Sequence, residues 1–157
     1  MPDTAAVLAA LDQNENAAVQ RWMDWLRIPS ISTDPKYTAD MRRAADWCAD
    51  HLRLSGFTAN VVPTSDGQGR QGHPIVMAHS AGSPDYKGPH VLFYGHYDVQ
   101  PVDPIDLWES PPFEPVLKPA VPGGPGERIV ARGAVDDKGQ VMMFLEAMRA
   151  WKVVSGL

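Results

Sequence analysis

The chain has 157 residues, of which 44% are hydrophobic and 21% charged, and its formal net charge is -5. These values are typical of a folded, water-soluble protein of one domain, and they exclude a disordered or collagen-like chain. Because no cluster of lysine and arginine is present, we expect no nucleic-acid partner. The N-terminus lacks the features of a secretory signal and no apolar run approaches the ~20 residues of a membrane span. The sequence therefore predicts no membrane association and a cytoplasmic location.

The spacing of apolar residues predicts alternating helices and strands. Helices are expected over residues 4–28, with a break near 14–16, and over 38–54 and 138–153, and strands over 57–62, 74–79, 90–94 and 128–131. The strand at 90–94 is apolar without alternation, which is typical of a strand covered on both faces. The predicted fold class is therefore α/β, with a mostly parallel sheet between layers of helices.

Two polar residues, His96 and Asp98, directly follow the apolar strand at 90–94. Side chains two residues apart in an extended chain point the same way, so these two can meet. The carboxyl end of a strand is where open α/β sheets place their ligand sites. One residue of such a pair can bind a metal while the other orients it, because a metal-bound imidazole usually donates its second N–H to a carboxylate.

A second polar motif, at residues 132–139, follows the strand at 128–131 and leads into the last helix. It places Asp136 at a strand-to-helix turn. A carboxylate can bridge two divalent cations, and a pair of metals can share one activated hydroxide. Either motif alone is a weak signal, because such fragments also cap turns. Their joint occurrence after two apolar strands favours a metal site.

In sequence and order, these motifs resemble the aminoacylase, carboxypeptidase G and succinyl-diaminopimelate desuccinylase family of co-catalytic zinc peptidases, and most closely its dipeptidase, carnosinase-like branch. The resemblance includes LRIPSIS at residues 26–32 and LSGF at 54–57. Its most specific parts are GHYDVQP at 95–101, WESPPFEP at 108–115 and RGAVDDKG at 132–139.

The resemblance implies an α/β fold that is the N-terminal part of a metal-binding catalytic domain, without the family's second domain for lid and dimerisation. It implies that His96 binds one of two zinc ions, that Asp136 bridges both, and that Asp98 is the catalytic residue that orients His96. It also implies a cis peptide bond between Asp136 and Asp137. The ligands would suit manganese or cobalt as well. The implied activity is metal-dependent hydrolysis of a dipeptide or related small amide.

The family's paired glutamates, a further acidic ligand and a distal histidine have no counterpart in the sequence. Because the first of those glutamates is the family's general base, we expect a truncated portion that carries only the first metal ligands. Three hypotheses stay open: a fragment of an active dipeptidase, a metal-binding protein without catalysis, and a truncation that binds nothing well. We expect weak metal binding, no appreciable hydrolysis, and exposed apolar surface on the last helix and the sheet edge.

Other residues have simpler interpretations. Cys48 is expected to be a buried, inert thiol, and Glu146 a solvated helix residue. Asp137 either caps the last helix or adjusts the field at the metals, and the sequence does not choose between these roles. Packing is favoured over substrate contact for Trp108 and Phe113, a structural role for Lys138 and Gly139, and a surface, loop or strand-end position for His51, His73, His79 and His90.

Overall fold

The computed structural model describes residues 3–82, 84–124 and 126–155. Its helices are α1 (Thr4–Gln13), α2 (Glu15–Leu26), α3 (Thr38–Leu54) and α4 (Lys138–Ser155). Its strands are β1 (Thr58–Val62), β2 (Ile75–His79), β3 (Val116–Pro119) and β4 (Glu127–Val130). Short 3₁₀ turns lie at Pro35–Tyr37 and Ile105–Leu107. No helix in the described ranges combines the length and the apolar character that crossing a bilayer requires.

The helix boundaries follow from capping residues and breakers. Asp3 begins α1, because its carboxylate accepts a hydrogen bond from the backbone N of Ala6 at 3.1 Å. Asn14 separates α1 from α2, within the break predicted near 14–16. The second helix ends at Leu26, two residues before the predicted end at 28. Gly56, with φ +83°, follows the end of α3, where the left-handed conformation favours glycine.

The strands pair differently from the sequence prediction. β1 pairs antiparallel with β2, and β3 antiparallel with β4. One isolated parallel bridge joins Ile31 to Val99. The predicted mostly parallel sheet is therefore not formed by the described residues. Parallel strands need neighbours from distant parts of a chain, and the predicted strand at 90–94 lies in no described ladder. Its residues Val91 and Leu92 are 87% and 94% exposed.

The core lies between α2, α3, α4 and the β1–β2 hairpin. Trp25, at the end of α2, is fully buried, and its Nε1 donates a hydrogen bond to the backbone O of Ala44 at 3.1 Å. The same indole stacks on Trp47 with ring centroids 4.9 Å apart. These contacts fix the end of α2, and Ile28, Ser30 and Ile31 of the segment that follows are buried as well.

Three residues test the simpler interpretations. Cys48 is buried, as predicted. The prediction that Glu146 is solvated is wrong: its side chain is 11% exposed and accepts hydrogen bonds from Nε and Nη2 of Arg21 at 2.8 and 2.6 Å. The ring of His51 is half-buried and stacks on Trp47 at 3.5 Å. Arg21 of the neighbouring helix α2, which periodicity within α4 does not reveal, determines the contacts of Glu146, whereas Trp47, the partner of His51, lies one turn away in the same helix.

Candidate metal centre

The structure brings His96, Asp98 and Asp136 together. The Nε2 atom of His96 lies 3.1 Å from Oδ1 of Asp136, and its Nδ1 atom lies 3.2 Å from Oδ1 of Asp98. Nδ1 is also 3.2 Å from the backbone O of Asp98. The imidazole is therefore held between two carboxylates, one on each ring nitrogen. The side chains of His96 and Asp98 are 40% and 38% exposed, and that of Asp136 is 76% exposed.

Asp137 joins the two motifs. Its Oδ2 accepts a hydrogen bond from the backbone N of His96 at 2.9 Å, across 41 residues of sequence. Its backbone O accepts from Val141 N at 3.0 Å and so belongs to the start of α4. The peptide bond between Asp136 and Asp137 is cis, as the resemblance implied. The side chain of Asp137 thus contacts the other motif, a role that the sequence did not reveal.

Glycines allow this close approach. A Cβ on Gly95 would lie 2.6 Å from Cγ2 of Val141 and 3.2 Å from Oδ2 of Asp137. A Cβ on Gly139 would lie 2.1 Å from the backbone O of Ala134. The distances of 2.6 and 2.1 Å are too short for a methyl group, so the lack of a side chain on Gly95 lets α4 lie against the histidine motif, and that on Gly139 lets α4 begin close to Ala134. The structural role predicted for Gly139 agrees with this packing.

The surroundings of His96 change its proton affinity. Partial burial lowers the pKa of His96, but the hydrogen bond to Asp98 and the negative charges of the adjacent aspartates outweigh that effect. The pKa of His96 therefore lies above its ordinary value of 6.5. Carboxylates that favour the protonated ring would equally favour another cation in the same place, because the attraction depends on charge.

The donor atoms fit a divalent metal. Zinc binds imidazole nitrogen at about 2.0–2.1 Å and carboxylate oxygen at about 2.0–2.2 Å in tetrahedral geometry, so two such ligand atoms lie roughly 3.4 Å apart. The 3.1 Å between Nε2 of His96 and Oδ1 of Asp136 is close to that spacing. In the part of the chain that the structure describes, no group of three or more His, Cys, Asp or Glu side chains could hold a metal ion.

A cleft of about 310 Å³ adjoins Asp136. It is lined by residues of β4 and the turn that follows, together with Trp108. The guanidinium of Arg132 lies 5.0 Å from the centre of the Trp108 ring, and Nη2 of Arg132 donates to the backbone O of Pro101 at 2.9 Å. Nε1 of Trp108 donates to the backbone O of Val102 at 2.9 Å. Trp108 therefore packs within the structure, as predicted, while it borders the cleft.

Two further residues have partners that were not predicted: Ser32 contacts Asp98, and Lys138 contacts the segment that follows α2. Oγ of Ser32 donates a hydrogen bond to Oδ2 of Asp98 at 2.6 Å. Lys138 is fully buried, and its Nζ donates to the backbone O atoms of Trp25 and Ile28 at 3.0 and 2.7 Å. Burial lowers the pKa of Lys138 to about 7. In the sequence, the two residues stood out only because they lie within the LRIPSIS and RGAVDDKG motifs. These motifs did not indicate which residues they would contact.

The sequence of the chain is similar to those of known peptidases. Residues 92–155 match the sequence profile of peptidase family M20/M25/M40. In sequence, the chain is similar to proteins named as dipeptidases. It is 32% identical over 155 residues to a human protein named Beta-Ala-His dipeptidase, and the alignment covers 94% of the chain. It is 31% identical over 139 residues to the Cys-Gly metallodipeptidase DUG1 of Candida albicans, which covers 84% of the chain.

The fold is also shared with a solved M20 peptidase. The structure of human carnosine dipeptidase 1 superposes with a TM-score of 0.78 at 29% identity, and the match covers 98% of the chain and 32% of that protein. This likeness confirms the predicted α/β fold class, although the described strands pair antiparallel. The chain spans 29% of the length of the human Beta-Ala-His dipeptidase and 27% of that of the Candida albicans relative.

Proposed function

We propose that the chain contributes the first metal ligands to the active site of a metal-dependent dipeptidase, and that it forms the N-terminal part of the catalytic domain. The observation that supports this most directly is the position of His96, with one ring nitrogen at a partly buried carboxylate and the other at an exposed one. In a metal-binding histidine one nitrogen faces the ion and the other donates to an orienting group.

The three aspartates around His96 have different surroundings. Asp98 accepts from Ser32 and contacts Nδ1 of the ring, and Asp137 accepts from the backbone of His96. Asp136 is 76% exposed and lies on the Nε2 side of the ring. We therefore assign Nε2 of His96 and the carboxylate of Asp136 as metal ligands, and Asp98 as the residue that orients the imidazole.

Each residue then has a defined task. Asp98 holds the proton on Nδ1, so that Nε2 presents its lone pair. Asp136 offers two oxygens, which is the property that a carboxylate needs to bridge two cations. A bound divalent metal such as zinc, manganese or cobalt would polarise the scissile carbonyl and lower the pKa of water. The general base of such a reaction is not among the residues assigned here.

The substrate class follows from the relatives. The proteins similar to this chain are named as dipeptidases that act on Beta-Ala-His or Cys-Gly. We propose a dipeptide or a small amide of similar size as substrate. The cleft of about 310 Å³ beside Asp136 supports this proposal, because a small amide held there would lie next to one of the proposed metal ligands.

Metal binding tests the assignment of the ligands. We expect the chain to bind Co²⁺ weakly, because two ligands leave the ion mostly hydrated. His96→Ala should lower the affinity at least ~10-fold, since one of two ligands is lost. His90→Ala is the matched control, because His90 is exposed and belongs to neither motif. Equal Co²⁺ affinity of wild type and His96→Ala in an NMR titration would contradict the assignment.

Hydrolysis tests the activity. A chimera in which this chain replaces the matching segment of the Candida albicans relative should hydrolyse Cys-Gly in the presence of metal. Asp136→Asn in that chimera should lower the rate by about 100-fold or more, whereas the exposed Asp106→Asn should not change it. A folded, metal-loaded chimera without hydrolysis would favour the alternative, a metal-binding protein without catalysis.

A further inference from the structure

One segment, residues 25–32, contacts both proposed metal motifs. It begins in the core at the end of α2, and we name it the bracket segment. Trp25 and Ile28 of this segment accept hydrogen bonds from the buried Nζ of Lys138, which follows Asp137 at the start of α4. The backbone carbonyls at the end of a helix carry partial negative charge, so they suit a buried ammonium group. The bracket segment is thereby fixed to the turn that carries Asp136.

The other end of the bracket segment is fixed to the histidine motif. Oγ of the fully buried Ser30 donates to the backbone O of Tyr97 at 2.6 Å, and the backbone N of Val99 donates to the O of Ser30 at 2.8 Å. Two residues later, Oγ of Ser32 donates to Oδ2 of Asp98 at 2.6 Å. The backbone O of Ser32 lies 2.8 Å from Nε2 of His73. The position of Ser32 is therefore set by contacts on both sides.

Ser32 and His96 contact different oxygens of the Asp98 carboxylate. Ser32 occupies Oδ2, and Oδ1 of the same carboxylate lies 3.2 Å from Nδ1 of His96. The hydroxyl therefore fixes the rotation of the carboxylate in the orientation that contacts the imidazole. A carboxylate without that donor could turn toward solvent, because Asp98 is 38% exposed.

We propose that Ser32 is a positioning residue of the metal site, which acts on His96 through Asp98 and is itself held in place by the bracket segment. This proposal rests on the proposed function, because it takes His96 as a metal ligand. The contacts of Ser32 in the described residues are with Asp98 and His73, not with the proposed ligand atoms of His96 and Asp136. Its effect is on how firmly Nε2 of His96 is aimed at Asp136, and so on metal affinity.

The test is a double-mutant cycle on Co²⁺ affinity, measured by NMR titration of the chain. Outer partners of metal ligands change affinity by about 10–100-fold when replaced. We expect Asp98→Asn to fall in that range, and Ser32→Ala to cost about 3–10-fold, because it acts one bond further from the ring. Ser32→Thr keeps the hydroxyl and should restore wild-type affinity. Thr33→Ala, at the exposed neighbouring position, should leave affinity unchanged.

The cycle separates positioning from a general structural effect. In the Asp98→Asn background, Ser32→Ala should cause no further loss, because its route to His96 is already interrupted. Additive losses, or wild-type affinity in Ser32→Ala, would overturn the proposal for Ser32. If His96→Ala also binds Co²⁺ like wild type, the proposed metal site is wrong as well. If His96→Ala loses affinity while Ser32→Ala does not, only the role of Ser32 is wrong.

Discussion

The ion pair between Glu146 and Arg21 makes a quantitative prediction about how α4 is held against α2. Both oxygens of Glu146 accept from Arg21, and the two side chains are 11% and 22% exposed. Glu146→Gln keeps the shape but removes the charge and turns an amide N–H toward the guanidinium. Breaking a buried pair by removing one partner costs about 3–5 kcal/mol. Because water reaches part of Arg21, we expect a loss of about 2–3 kcal/mol in the free energy of unfolding.

Urea titration followed by circular dichroism measures this loss. With a slope of about 2 kcal/mol per M, the midpoint should fall by roughly 1–1.5 M and the slope should stay constant. Asp46→Asn is the matched control, because Asp46 pairs with Arg42 one helical turn away at 46% and 63% exposure. Because that pair is exposed to solvent, its loss should shift the midpoint far less than the loss of the Glu146 charge. Equal losses in the two variants would refute the argument that burial strengthens the Glu146 contact.

Three further predictions concern packing, surface and the thiol. Gly139→Ala should cost about 1–3 kcal/mol in a urea titration, because its Cβ would overlap a backbone O, whereas Gly67→Ala, with open space around it, should stay within ~0.5 kcal/mol. Leu92→Lys should reduce concentration-dependent light scattering, because Leu92 is 94% exposed; unchanged scattering would count against an apolar contact there. Burial raises the pKa of Cys48 to about 12, so the folded state keeps a proton that the unfolded thiol loses near its ordinary 9.0. The contribution of Cys48 to the free energy of unfolding should therefore be complete below pH 9 and lost as pH rises toward 12. Because the thiolate is the reactive form, rapid reaction of the native protein with a disulfide reagent at pH 8 would contradict this.

The sequence was a good guide to the helices and a poorer one to strand pairing. For α3 (Thr38–Leu54) the predicted bounds agree with the structure, because the apolar face indicates a helix and the following Gly56 indicates its end. Strand pairing depends on neighbours that periodicity does not identify. Residues 90–94 have the composition of a buried strand but are exposed in the structure. Strand β3 (Val116–Pro119) lies in a proline-rich stretch where no strand was predicted, and it pairs with β4 across a turn.

The candidate site was predictable where local spacing carried the information. Asp136 lies between β4 and α4, as predicted, and the two-residue spacing of His96 and Asp98 indicated that they could meet. The strand expected before His96 is not formed by the described residues, so the predicted position of this pair at a strand end was wrong. The donor to Asp98 is Ser32, which is 66 residues away. A contact of that kind depends on the packing of whole elements. The same reason explains why Glu146 was expected in solvent although Arg21 lies opposite.

The carboxylates of the site and of α4 show how partners decide the role of an acidic residue. Glu146 lies on the helix that begins beside Asp136, but its two oxygens are occupied by Arg21. Its carboxylate therefore holds α4 against α2 and takes no part in the contacts around His96. Asp136, exposed and facing the imidazole of His96, has the properties of a ligand. Glu146 thus gives α4 a structural contact with α2, while Asp136, just before the first turn of α4, is the proposed metal ligand.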